Sequence, residues 1–265
     1  MRTLFISLIL TFASSAIAAP IATVGNETID TTSLSYRLLT EKAYGNSIIT
    51  ETDALISLIN DAIELNTANS LGVGPTESEI LNLANHALQT TKAPAVLAKI
   101  NALFGNDINA YNKLYISPKV ANKKLREHHS NTAEIHIAEK TIADSILSLA
   151  SSGKPFQEIA DETIAAVSSF DVPIDSSAAL ATILSGLTAG EVHPTVIDED
   201  SSFVIVKLTE KDTDKYTVEA LRIQKKSFDD WFRGVAQEIV IQIQDPQLIQ
   251  SIQNDYPSIW WASNL

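Results

Sequence analysis

No cysteine occurs anywhere in this chain. That excludes disulfides, a thiolate nucleophile, a cysteine zinc site and a lipid anchor on a mature N-terminal cysteine. Stability must therefore come from buried apolar side chains, and 265 residues suffice for one large domain or two smaller ones. Basic residues are scarce as well: 19 Lys and Arg stand against 32 Asp and Glu, a formal net charge of −13. A surface of that sign repels phosphate backbones, so nucleic acid is not an expected partner. Beyond the N-terminus no apolar run approaches the roughly 20 residues of a membrane span, so no integral span is expected. Glycine-rich phosphate loops and the Gly-x-Ser-x-Gly elbow are also missing, and no cofactor is expected. His128-His129 and His136 have a spacing that shares a helix face, but no convincing further ligand accompanies them. No metal site is expected.

What is present begins with a secretory signal pattern. Arg2 supplies the positive charge, Leu4 to Phe12 a short apolar run, and Ala16-Ile17-Ala18 the small-x-small site. Cleavage is expected after Ala18, giving a periplasmic or secreted protein; the alternative is an uncleaved interfacial anchor. Next, Ile21 to Val24, the turn Gly25-Asn26-Glu27 and Thr28-Ile29-Asp30 read as strand, turn and strand. Thr31 or Thr32 is the expected cap of a helix starting near Ser33.

From Glu51 to Leu71, Ala54, Leu55, Leu58, Ile59, Ala62, Ile63 and Leu65 recur at helical spacing, and Gly72 ends the run. Thr76 and Glu79 have capping-box spacing for the next helix. Helical patterns continue over 93–104, 107–115 and 118–129, the last with Pro118 at its start. Lys119, Lys123, Lys124 and Arg126 read as a solvated basic face rather than a docking surface. Further on, Ile142 to Ala150 is amphipathic, Ser177 to Leu187 reads as a helix, and Phe203 to Leu208 as a buried strand. The tail holds an extended 217–223 segment, a helix around Phe228 and Trp231, an alternating Ile239 to Ile243, and a last helix from Pro246. Trp260-Trp261 reads as a packed staple or, alternatively, a partner-binding patch.

Two groups of these residues carry a resemblance. The long helix, Leu71-Gly72-Val73 and Pro75-Thr76-Glu77-Ser78-Glu79 resemble the SurA, PpiD and PrsA type of exported foldase. Gly153-Lys154-Pro155-Phe156 with Ile159-Ala160, and Leu187 with Gly190-Glu191-Val192, resemble the corners of a PpiC-type parvulin, a peptidyl-prolyl isomerase; the resemblance implies a loop at Ser168 to Pro173, shorter here than in that family and without its paired glycines. The resemblance implies an α+β fold: a mostly helical SurA-like chaperone domain with a small parvulin-like α/β domain and an antiparallel-rich sheet. The implied organisation is a signal peptide (1–18), a helical domain (19–130), a degenerate parvulin-like domain (131–212) and a C-terminal segment (213–265) packing back on the helical domain.

Parvulins place two histidines on adjacent central strands beside an apolar pocket. Carried over, the last-strand histidine falls on Val204, so one of the pair is missing. His136 is the candidate for the other, either on a first strand or on the surface of a continuous helix from Glu134 to Ala150. His193 reads as a loop histidine. Phe170, Leu180 and Phe203 are the implied peptide-binding residues. The implied function is ATP-independent chaperoning of unfolded or proline-containing exported polypeptides, membrane-protein clients included, by a protein whose isomerase domain is inactive or weakly active. The alternatives are an active prolyl isomerase and an assembly module dedicated to one partner.

Overall fold

In the computed structural model, which describes residues 19–90, 94–104, 108–176 and 179–265, the chain opens on a hairpin. The expected signal segment, residues 1–18, lies outside the described residues. Strand β1 (Pro20–Val24) turns at Gly25-Asn26 into β2 (Glu27–Asp30). Glycine is required at the turn: Gly25 has φ 53°, and a Cβ there would lie 2.5 Å from Asn66 Oδ1. Asn66 holds the turn, accepting from Asn26 N–H at 3.2 Å and donating to Val24 O at 2.9 Å.

Helix α1 (Thr31–Ala43) follows without a linker, so Asp30 rather than Thr31 or Thr32 is its cap and accepts from Ser33 N–H at 2.7 Å. Helix α2 (Glu51–Ser70) starts at a capping box in which Thr50 and Asp53 satisfy each other's backbone N–H. Its Leu55, Ile59 and Ile63 are fully buried, each contributing about 1.5–3 kcal/mol. Helix α3 (Glu77–Thr90) starts at the expected Thr76–Glu79 pair, and α4 (Pro94–Leu103) follows.

Helix α5 (Ile108–Tyr111) runs through a π-helical stretch (Asn112–Ile116) into α6 (Ser117–Asn131). Pro118 was expected to open a separate helix, but it sits inside this continuous run. The proline has no N–H to give Leu114 O, its partner four residues back, and the helix widens just before it. Leu114 O accepts instead from Arg37 Nη2 at 2.9 Å.

A 3-10 turn (Ala133–His136) leads into α7 (Ile137–Ser151), followed by α8 (Phe156–Glu162), β3 (Ala166–Pro173) and α9 (Ala179–Ser185). Then come β4 (Ile197–Asp198), β5 (Ser202–Lys211), β6 (Lys215–Gln224) and α10 (Phe228–Ala236). The chain ends with β7 (Ile241–Ile243), α11 (Pro246–Asp255) and a 3-10 turn (Ala262–Asn264). The result is an α+β protein with antiparallel sheets.

The chain separates into two units, one of residues 1–122 with 237–265 and one of residues 123–236. In the first unit the sheet order is β2-β1-β7, so the C-terminal part supplies an outer strand. Trp261, 1% exposed, donates Nε1–H to Asn60 Oδ1 of α2 at 2.8 Å, and Tyr256 OH donates to Asp53 at 2.6 Å. The staple is thus the reading that holds for Trp261.

In the second unit the sheet order is β3-β6-β5-β4. Strand β6 lies within the expected C-terminal segment, but it pairs with both β3 and β5 and stays with them. Ser168 to Pro173, expected as a loop, belongs to β3, which pairs with β6 from Ala166↔Arg222 to Pro173↔Lys215. Helix α9 begins at Ala179; Ser177, the expected start, lies outside the described residues. Each face of this sheet has its own core. Helices α7 and α8 cover one with Ala143, Ile146, Phe156 and Ile159, and α9 covers the other with Ala181 and Leu184. Among the described residues no helix is long and apolar enough to cross a membrane.

Candidate functional site

The residues implied by the parvulin resemblance do not form one site. Side chains alternate along a strand, so neighbours point to opposite faces. Val204, Phe170 and Leu180 share the face covered by α9, together with Ile197, which pairs with Val204. Phe203 points the other way, 3% exposed, into the core beneath α7 and α8. Phe170 and Leu180 are half-buried and pack against the same core cluster, whereas Phe203 is buried in the opposite one.

His136 joins neither group. It lies on no strand and on no exposed helix face, but at the junction of the 3-10 turn with α7, 4% exposed. The strands on either side of β5 set Arg222 of β6 and Ile197 of β4 opposite Val204. His136 Nε2 lies 3.1 Å from His129 O, its ring meets the His129 ring edge-on at 4.8 Å, and its Nδ1 has no partner. His129 in turn packs against Phe228 and Trp231 of α10, with its Nε2 2.9 Å from Lys226 O. Burial pushes the His129 imidazole down, so the neutral ring that donates to Lys226 O is favoured. This cluster packs the α6 end, the 3-10 turn and α10 together. His193 is half-buried in its loop, tied by its N–H to Val206 O at 2.9 Å.

The first unit holds an open cleft of about 400 Å³ that the sequence reading did not single out. Its apolar wall comes from Leu58, Ala62 and Leu65 of α2 and Tyr36 of α1. The π-helical stretch adds Lys113 and Leu114, and Pro75 and Pro118 flank them. The remaining wall is β2, all four of whose residues line the cleft. Three carboxylates (Glu27, Asp30, Asp61) and one ammonium (Lys113) are spread over this lining.

Behind the wall lies a buried polar cluster. Arg37, 6% exposed on the inner face of α1, forms an ion pair with Asp61 and reaches Leu114 O. Its guanidinium stacks 4.3 Å over the Tyr115 ring, whose hydroxyl donates to Arg37 O at 3.2 Å. Burial pushes the Asp61 carboxyl up, with Arg37 pulling against it, and pushes the Tyr115 phenol up to about 12. The cluster therefore fixes α1, α2 and the π-helical stretch to one another and gives the cleft a rigid back. A signal for it was present: Arg37 lies three residues after Leu34, where an inward helix position normally takes an apolar residue.

Among the described residues no group of three or more His, Asp or Glu side chains is placed to hold a metal ion. Compared with known proteins, the chain matches no family model and no curated protein.

Proposed function

We propose that this protein is an exported, ATP-independent chaperone of the SurA-like kind, holding unfolded polypeptides in the cleft of its first unit. The observation that supports this is the cleft itself: open, mostly apolar, rigidly backed, and bordered along one side by a strand. Holding an unfolded chain requires apolar contact without tight shape selection, and such binding is broad and weak. The acidic surface favours solubility of a protein loaded with sticky clients. The second unit acts as a parvulin-like scaffold with little or no isomerase activity, because Val204 stands opposite Arg222 and His136 is buried elsewhere.

The experiment is aggregation suppression of a chemically unfolded client by the full chain, beside cis/trans isomerisation of a short proline peptide. Suppression without acceleration is expected, and Leu65→Glu, which puts a charge on the apolar wall, should abolish most of it. Acceleration well above background would make the protein an isomerase instead. Suppression untouched by Leu65→Glu would move the binding surface elsewhere.

A further inference from the structure

Among the described residues strand β2 is an edge strand: β1 is its neighbour on one side, and no strand pairs with it on the other. Along β2, successive side chains point to opposite faces of the sheet. A cleft lying under one face would touch Glu27 and Ile29, or Thr28 and Asp30, but not both pairs. All four residues line it, and no residue of β1 does, so the cleft runs along the free edge of β2.

The register shows which backbone groups face that edge. Val24 and Glu27 flank the two-residue turn as a hydrogen-bonded pair, so the next pair, Thr23 with Thr28, is a non-hydrogen-bonded one. The N–H and C=O of Thr28 therefore point away from β1 and toward the cleft. Thr28 itself is exposed.

We infer that the occupant of this cleft is an extended polypeptide segment that adds to β2 as a further strand, carrying apolar side chains with at least one basic residue. The inference rests on the polypeptide-binding reading and names its mode. Main-chain bonds to Thr28 supply affinity without reading sequence, which suits a broad binder. Alternate side chains of the segment enter the apolar wall at Tyr36, Leu58 and Leu65. The charge of the lining selects for a cationic segment: with Asp61 already paired to Arg37, Glu27 and Asp30 still outnumber Lys113, and the whole chain carries −13.

The test is binding of fluorescent peptides to the full chain. The first peptide alternates apolar residues with lysine; the second has glutamate for lysine; the third is the first with alternate backbone nitrogens methylated. Methylation removes donors while keeping side chains, so about a tenfold loss of affinity is expected for the third peptide. The second should bind more weakly than the first, with a difference that shrinks at high salt. On the protein, Thr28→Pro removes the outward N–H at an edge position where proline is tolerated and should cause a loss similar to methylation. Equal binding of the first and third peptides would overturn strand addition while leaving polypeptide binding intact. Binding of none of the three would overturn both. If Thr28→Pro fails to fold, the methylated peptide decides the matter on the unaltered protein.

Discussion

Arg37 illustrates how one residue sets the stakes in the first unit. A buried guanidinium must have a counter-charge, and Asp61 is the one that forms an ion pair with it from α2. Asp61→Asn keeps the shape but removes the nearer of the two carboxylates, leaving Arg37 only Glu41 at 4.0 Å, so a loss of about 2 kcal/mol is expected in chemical unfolding of the first unit. A loss below about 0.5 kcal/mol, the ordinary scale of a surface substitution, would show that the pair is not buried in solution. His136 makes the opposite case. Its ring fills a junction between helices, 4% exposed and edge-on to His129, so His136→Ala should lower the melting temperature of the second unit. Any residual prolyl isomerisation should be unchanged. A fall in isomerisation with folding intact would return His136 to a catalytic role.

At the scale of elements, helix α2 depends on its first turn. Thr50 Oγ1 accepts from Asp53 N–H at 3.1 Å, and the Asp53 carboxylate accepts from Thr50 N–H at 2.9 Å and from Tyr256 OH at 2.6 Å. The Thr50 side chain, then Tyr256, hold the Asp53 carboxyl below its usual range. A carboxyl lowered by folding contributes stability that is present above its unfolded pKa, 3.8, and is lost as pH falls through the folded value. Thr50→Ala should therefore cost about 1 kcal/mol at neutral pH, and less below pH ~4, where Asp53 protonates and the bonds it accepts weaken. A cost that grows on acidification would contradict this.

This helix was legible in the sequence because its apolar repeat, capping pair and terminal glycine agree. So was the Thr76–Glu79 start of α3. Strand β3 was not, because Ser168, Ser169 and Asp171 make it look like a loop; it is a strand because β6 pairs with it along its whole length. The cleft was not legible either. Its walls come from a strand edge, two helices and a π-helical stretch, and the last depends on how one proline redirects a carbonyl to Arg37.

At the scale of the whole molecule, the two units differ in how the chain closes them. The second unit is continuous, 123–236, whereas the first is completed only when residues 237–265 supply β7 and α11. The stability of the first unit therefore depends on contacts between residues some two hundred positions apart, as in Trp261 with Asn60 and Tyr256 with Asp53. Closing so long a loop costs entropy that local contacts in the second unit do not incur. Trp261 is the largest side chain securing the closure, and Trp261→Ala should cost about 3–5 kcal/mol in the first unit. The second unit is formed within 123–236, so its stability should be unaffected. Hydrogen exchange read segment by segment distinguishes the two: faster exchange is expected in β1, β2 and α2, with β3, β5 and β6 unchanged. Faster exchange in both sheets together would mean that the units unfold as one, and that the 237–265 segment closes the whole chain rather than the first unit alone.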